Sequence, residues 1–231
     1  VIMRTFFQTT IPDSIIESGK IDGASQLRIF VQLVLPLALL GILAALAAVY
    51  LFVPQRIPGG WFGFAYDLPA GEAQARMALV DTACGWAGVR EDDGSHRFII
   101  DLYNTIDPLP QGYTVTYDDA WCAAFGSAAA LEAGLLDIIP AECSCSRQIK
   151  LFQDLGRWEE DDGYLPLPGD ILFYDWDLPR SFDCTGWSEH VGIVVGTYGP
   201  FIRVMEGNRD DDAGYRTIWR NDWCIRGYGL P

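Results

Sequence analysis

Positive charge is what this 231-residue chain has least of. Sixteen Lys and Arg stand against 31 Asp and Glu, leaving a formal net charge of −15 at pH 7. Binding a phosphate backbone needs clustered cations, so nucleic acid is excluded as a partner, and the acid excess serves solubility. Histidine is nearly absent. Only His96 and His190 occur, which leaves few places for imidazole chemistry. Six cysteines are too few for a disulfide framework at this length. Cys143, Cys145, Cys184 and Cys224 also lack the paired Cys-x2-Cys knuckles of a zinc site, so they read as buried thiols. No metal and no cofactor is expected.

Apolar and aromatic residues are plentiful: half the chain is hydrophobic and 13% is aromatic, with 8 Trp. That suffices for one good-sized packed domain and an appendage. The appendage is legible. Residues 29–53 form an uncharged apolar run long enough to cross a bilayer as a helix, with Pro36 near its start. The run continues through Tyr50, Leu51 and Phe52, past the small residues a signal peptidase would need, so an uncleaved anchor is expected. Lys20 and Arg28 precede it and Arg56 follows, a weak preference for a cytoplasmic N-terminus. Residues 54–70, rich in Gly, Pro and aromatics, read as a juxtamembrane linker.

The remainder is organised around Tyr117-Asp118-Asp119-Ala120-Trp121-Cys122-Ala123-Ala124-Phe125-Gly126. A cysteine at a helix start becomes nucleophilic because unpaired N–H groups and the helix dipole stabilise its thiolate. Asp118 or Asp119 is the expected cap, and residues 123–131 are strong helix formers. The base is expected from His190, which opens the buried-strand pattern His190-Val191-Gly192-Ile193-Val194-Val195-Gly196. A turn at Tyr198-Gly199-Pro200 then returns the chain as Phe201-Ile202-Arg203-Val204-Met205-Glu206-Gly207-Asn208. Folded about Gly199, this hairpin sets Asn208 opposite His190 with Glu206 two residues along. Strand alternation then points all three to one side. A base with a polar partner beside it is what thiol catalysis needs.

Four motifs, taken in order, resemble the CHAP domain, the cysteine, histidine-dependent amidohydrolase/peptidase family. They are Asp119-Ala120-Trp121-Cys122-Ala123-Ala124-Phe125, Pro168-Gly169-Asp170-Ile171-Leu172-Phe173-Tyr174-Asp175-Trp176, Trp187-Ser188-Glu189-His190-Val191-Gly192-Ile193-Val194, and Glu206-Gly207-Asn208. The resemblance covers about residues 72–231. It implies a papain-like α+β fold, with N-terminal helices packed on a small antiparallel sheet. The implied activity is cleavage of amide bonds in peptidoglycan, as an N-acetylmuramoyl-L-alanine amidase or an endopeptidase. Carried over by position, Cys122 is the nucleophile, His190 the base, Glu206 the orienting residue and Asn208 a further polar member. Some family members bind calcium just before the cysteine, where Asp118 and Asp119 stand, but no full ligand set can be matched. Trp176 and Trp187 are expected either to wall the cleft, with Asp119 also near substrate, or to serve as core aromatics. With the anchor, the resemblance implies a catalytic domain outside the cell membrane or in the wall.

A second resemblance covers roughly the first fifty residues. Glu17-Ser18-Gly19-Lys20-Ile21-Asp22-Gly23-Ala24-Ser25, with Leu33-Val34-Leu35-Pro36 after a spacer, is similar to the coupling loop of sugar-type ABC transporter permeases. That loop docks on an ATPase, but a working permease needs several further spans and none follows, so an ABC ATPase is not an expected partner. Residues 1–28 therefore read as a permease-like fragment, 29–53 as the span, 54–70 as the linker and 71–231 as the hydrolase domain.

Other expectations are local. Residues 71–86 and 95–104 read as helices, with His96 at a polar helix start in a capping or surface role. A helix through Ile149, Phe152 and Leu155 follows Cys145. Strands are expected over 171–174, 215–219 and 224–228, and 159–162 as a solvated acidic turn.

Overall fold

A computed structural model describes residues 31, 35, 39–44, 46, 69–176 and 187–231 of the chain. The chain divides into two compact units, Val1–Arg56 and Ile57–Pro231. In the first, residues 39–44 are helical, and among the described residues no helix is long and apolar enough to cross a membrane. The expected span over 29–53 falls largely outside the described residues, as does nearly all of the linker. The permease-like segment 1–28 falls wholly outside them.

Among its described residues the second unit is α+β, with four α-helices and one antiparallel sheet. In chain order it contains α1 (Ala70–Gly85), α2 (Arg97–Tyr103), α3 (Cys122–Glu132), α4 (Cys145–Asp154), β1 (Trp158–Glu159), β2 (Ile171–Tyr174), β3 (His190–Tyr198), β4 (Phe201–Arg209), β5 (Asp212–Trp219) and β6 (Ile225–Gly229). The strands lie in the order β1-β6-β2-β3-β4-β5, every neighbouring pair antiparallel. The two-residue β1 carries no sequence pattern and was not expected.

Alternation along the strands splits the core in two. Ile171, Phe173, Val191, Ile193 and Met205 belong to the main cluster with Leu79, Val80 and Ala83 of α1, Phe125 of α3 and Phe152 of α4. Leu172, Tyr174, Val194, Val204 and Tyr228 form a smaller cluster on the other side. The sheet is thus buried on both faces at β2, all four of whose residues are buried.

The middle of this core is α3. Residues Cys122 to Ala130 are all buried, an all-round burial that only a helix of small residues permits. Alanine, glycine and serine let neighbours approach the helix axis, and Phe125 is the one large side chain in this run. Its ring packs edge-on to Trp86 at 5.5 Å, and a Cβ added to Gly207 of β4 would overlap Phe125. A glycine at 207 therefore sets how closely α3 rides on β4.

α1 is locked to the turn before β2 by a buried ion pair. The Arg76 guanidinium donates to Asp170 Oδ1 at 2.6 Å and to the Pro168 carbonyl at 3.2 Å. Asp170 Oδ2 accepts from Tyr164 Oη and from the Leu167 N–H, both at 2.7 Å. Three hydrogen bonds and a counter-charge are what make this fully buried carboxylate tolerable.

Candidate active site

Cys122 is the first residue of α3, as its motif predicts, but no side chain caps the helix. The residue before it, Trp121, is the N-cap and makes no side-chain capping bond. Asp119, expected as a cap and near substrate, is instead used up in its own turn. Its Oδ2 accepts from Thr116 N–H and Thr116 Oγ1, both at 2.8 Å, and from Tyr113 Oη at 2.9 Å. These bonds hold its carboxyl below the ordinary carboxylate range. Asp118 is exposed. Among the described residues no group of three or more His, Cys, Asp and Glu is placed to hold a metal ion.

His190 opens β3, and its register against β4 explains its partner. The hairpin turns on Gly199 (φ +59) and Pro200, with Tyr198 opposite Phe201, a two-residue loop with positive φ where such loops require it. A bulge at Val195 inserts one residue on the β3 side. Beyond it, Val194 faces Val204 and Gly192 faces Glu206, the pairing expected from a hairpin centred on Gly199. His190 is therefore the diagonal neighbour of Glu206 on the same face. Its Nε2 lies 3.0 Å from Glu206 Oε2. Gly192 must lack a side chain here, because a Cβ would stand 2.7 Å from Glu206 Cγ.

The alternation fails at Asn208. It takes a left-handed conformation (φ +54) and leaves the ladder, since Asp210 and Asp211 also adopt positive φ to close the β4–β5 hairpin. Asn208 thus does not join His190. With its amide turned to satisfy both ends, Nδ2 donates to Glu91 Oε1 at 3.1 Å and Oδ1 accepts from the Trp121 N–H at 3.2 Å. Glu91 also accepts from Trp121 Nε1 at 2.7 Å. Asn208 and Glu91 together fix the residue that precedes Cys122.

The Cys122 thiol and the His190 imidazole are near enough to shift each other's titration, and with Nε2 bonded to Glu206 it is Nδ1 that is left to serve the sulfur. Both residues are buried, 6% and 9% exposed, and Glu206 is wholly so. Cys122 is held well below the ordinary thiol range. Its largest support is a hydrogen bond from Cys145, which outweighs burial; His190 and the Ala123 N–H add to it. Burial alone would lower His190, yet its bonds to Cys122 and Glu206 raise it to about 9. Both shifts run in the direction of a thiolate–imidazolium pair.

Sequence reading missed three of these neighbours. Tyr174 donates to Glu206 Oε1 at 2.6 Å, and Arg216 Nε donates to both carboxylate oxygens at 2.8 and 2.9 Å. Cys145 Sγ lies 3.7 Å from Cys122 Sγ. The glycine pattern signals Arg216. Glu206 faces Gly192 on one side and Gly214 on the other, and two residues from each glycine stand His190 and Arg216.

The two tryptophans divide. Trp176 is half-buried and stacks on Tyr174 with ring centroids 4.8 Å apart; the Arg216 guanidinium lies 5.3 Å from its ring centre. Trp187 is 76% exposed, so it is not a core aromatic. His96, expected at the surface or in a cap, is 3% exposed, its ring nitrogens 3.3 and 3.1 Å from the Arg90 and Tyr117 carbonyls.

No family model, no curated protein and no solved structure matches this chain.

Proposed function

We propose that this chain is a cysteine amidohydrolase or peptidase of the CHAP type, acting on amide bonds of peptidoglycan. The observation that carries the reading is the Cys122–His190–Glu206 array: a thiol at the first residue of a buried helix, an imidazole at a strand start, and a buried acid on the far ring nitrogen. A nucleophile helix lying against an antiparallel sheet that carries the base also supports a papain-like fold. The peptidoglycan substrate rests on the motif resemblance alone. The apolar run at 29–53 supports placing the domain outside the membrane.

In the proposed reaction the Cys122 thiolate attacks the amide carbonyl carbon and the C=O electrons move to oxygen. The Cys122 backbone N–H, at the open start of α3, is the assigned donor to that oxyanion. The His190 imidazolium gives its Nδ1 proton to the leaving amine as the C–N bond breaks, leaving a thioester. Neutral His190 then takes a proton from water, whose oxygen attacks the thioester and releases the acid and the thiolate. Glu206 keeps Nε2 bonded throughout, so the ring turns neither away from sulfur nor into the wrong tautomer.

Purified sacculi incubated with the full chain test this. Wild type is expected to release amines and soluble fragments. Cys122→Ser and His190→Ala should lose about 10²-fold or more in rate while still unfolding cooperatively. A lowered midpoint is expected for His190→Ala, because it leaves Glu206 without its imidazole. Fragment masses separate a cut at the sugar–peptide link from cuts within peptides. Undiminished lysis by either variant sinks the assignment, and sacculi that are bound but never cut leave only a wall-binding module.

A further inference from the structure

Cys145 has no part in the hydrolytic steps above, yet its sulfur is in contact with the nucleophile. Cys122 and Cys145 are each the first residue of a helix, α3 and α4, and the two helix starts meet sulfur to sulfur at 3.7 Å. Both thiols are buried, 6% and 7% exposed. The approach is built, not incidental. Ser127 of α3 clamps the loop before α4, accepting from the Glu142 N–H at 2.9 Å and donating to the Glu142 carbonyl at 2.8 Å. Ser146 Oγ accepts from the Ser188 N–H at 3.1 Å, tying the first turn of α4 to the segment that leads into His190.

We infer that Cys122 and Cys145 form a covalent modification site, closing to a reversible intramolecular disulfide when a peroxide reaches the thiolate. A disulfide needs about 2.05 Å between sulfurs, so the pair has about 1.7 Å to close, within reach of small side-chain rotations. The Cys122 thiolate attacks one peroxide oxygen; the S–O bond forms, the O–O bond breaks, and hydroxide leaves and is protonated to water. Cys145 then attacks the Cys122 sulfenic sulfur. The S–S bond forms, the S–O bond breaks, and the departing hydroxide takes up the Cys145 proton as a second water. Two thiols lose two electrons in all and one peroxide becomes two waters. The outcome is protective: the nucleophile is silenced in a recoverable form, short of irreversible sulfinic acid. The chemistry needs only the reactive thiolate and holds whatever the substrate.

The full chain, treated at neutral pH with a small molar excess of hydrogen peroxide, tests the inference by mass rather than by activity. Remaining thiols are blocked with iodoacetamide, and the protein is cleaved without reductant after glutamate. Glu132 and Glu142 separate Cys122 from Cys145. Expected is a linked pair of peptides, lighter by two hydrogen atoms than their sum, joined at Cys122 and Cys145 and released by dithiothreitol. Cys145→Ser should yield no linked pair, a dimedone-reactive sulfenic acid at Cys122, and then sulfinic acid that dithiothreitol does not reverse. Wild type that proceeds to sulfinic acid with Cys145 still open to alkylation overturns the proposal. So does a link from Cys122 to Cys143 in its place. Because the readout is a bond, a chain that cleaves no peptidoglycan would still pass or fail it.

Discussion

Glu206 accepts hydrogen bonds from three side chains, and only one of them is the imidazole. Cys122, His190, Glu206 and Arg216 form a row of alternating charge, minus, plus, minus, plus. Burying such a row is tolerable because each charge has an opposite neighbour. The row makes His190 adjustable from two sides. Glu206→Gln removes the anion that favours the imidazolium, so the alkaline limb of the kcat/KM profile, set by His190 near 9, should fall by about 1–3 pH units. Arg216→Gln removes a cation from the same neighbourhood and should move that limb upward, with kcat reduced and KM little changed. Arg216 acts only through Glu206, and opposite movement of the two limbs is what separates a positioning role from structural damage. Limbs that move together, or not at all, would remove Glu206 and Arg216 from the electrostatics of the base.

At the scale of elements, close approach of backbone to side chain positions the site, and glycine permits it. Gly207→Ala would drive a methyl group into Phe125, lifting α3 from β4 and costing about 1–3 kcal/mol, read as a lowered denaturant midpoint. A midpoint equal to wild type would mean that α3 does not ride on β4 as described. Arg76→Met would leave Asp170 buried without its counter-charge, at a cost of about 3–5 kcal/mol in urea unfolding. A change under about 1 kcal/mol would mean that Asp170 is neutral when folded, its protonated carboxyl content with Tyr164 and the Leu167 N–H. These elements also show where sequence reading stops. The α3 helix and the β3–β4 hairpin were legible, because a small-residue run after a polar turn and two apolar strands about Gly-Pro are local signals. Asn208 was misplaced because alternation holds only while the chain stays extended, and nothing in Asn208-Arg209-Asp210-Asp211 marks which residue first turns left-handed. Tyr174 and Arg216 needed the β2–β3 and β4–β5 pairings. Cys145 needed the meeting of the starts of two consecutive helices, set by the path of the loop between them, for which a chain carries no periodic signal.

One contribution to the whole molecule's response to pH follows from counting protons on the Cys122–His190 pair. His190 is raised above its ordinary 6.5 to about 9, so its stabilisation is fully present below pH 6.5 and is lost as pH rises through 9. Cys122 is depressed below its ordinary 9.0, so its stabilisation is present above pH 9 and is lost as pH falls through its folded value. Between 6.5 and 9 the two slopes oppose and cancel. The folded pair holds one proton, on the imidazole, and the unfolded chain also holds one, on the thiol. Below 6.5 the unfolded imidazole takes up a second proton, and for as long as the folded thiolate stays unprotonated stability declines as the medium becomes more acidic, by at most about 1.4 kcal/mol per pH unit. Urea unfolding followed by tryptophan fluorescence at pH 5.5, 6.5, 7.5 and 8.5 should therefore give a plateau over the last three points and a drop at the first. A tilt of a full proton across the plateau would show that the sulfur and the ring titrate as strangers. The coupling between them, and the chemistry drawn from it, would then have to be given up.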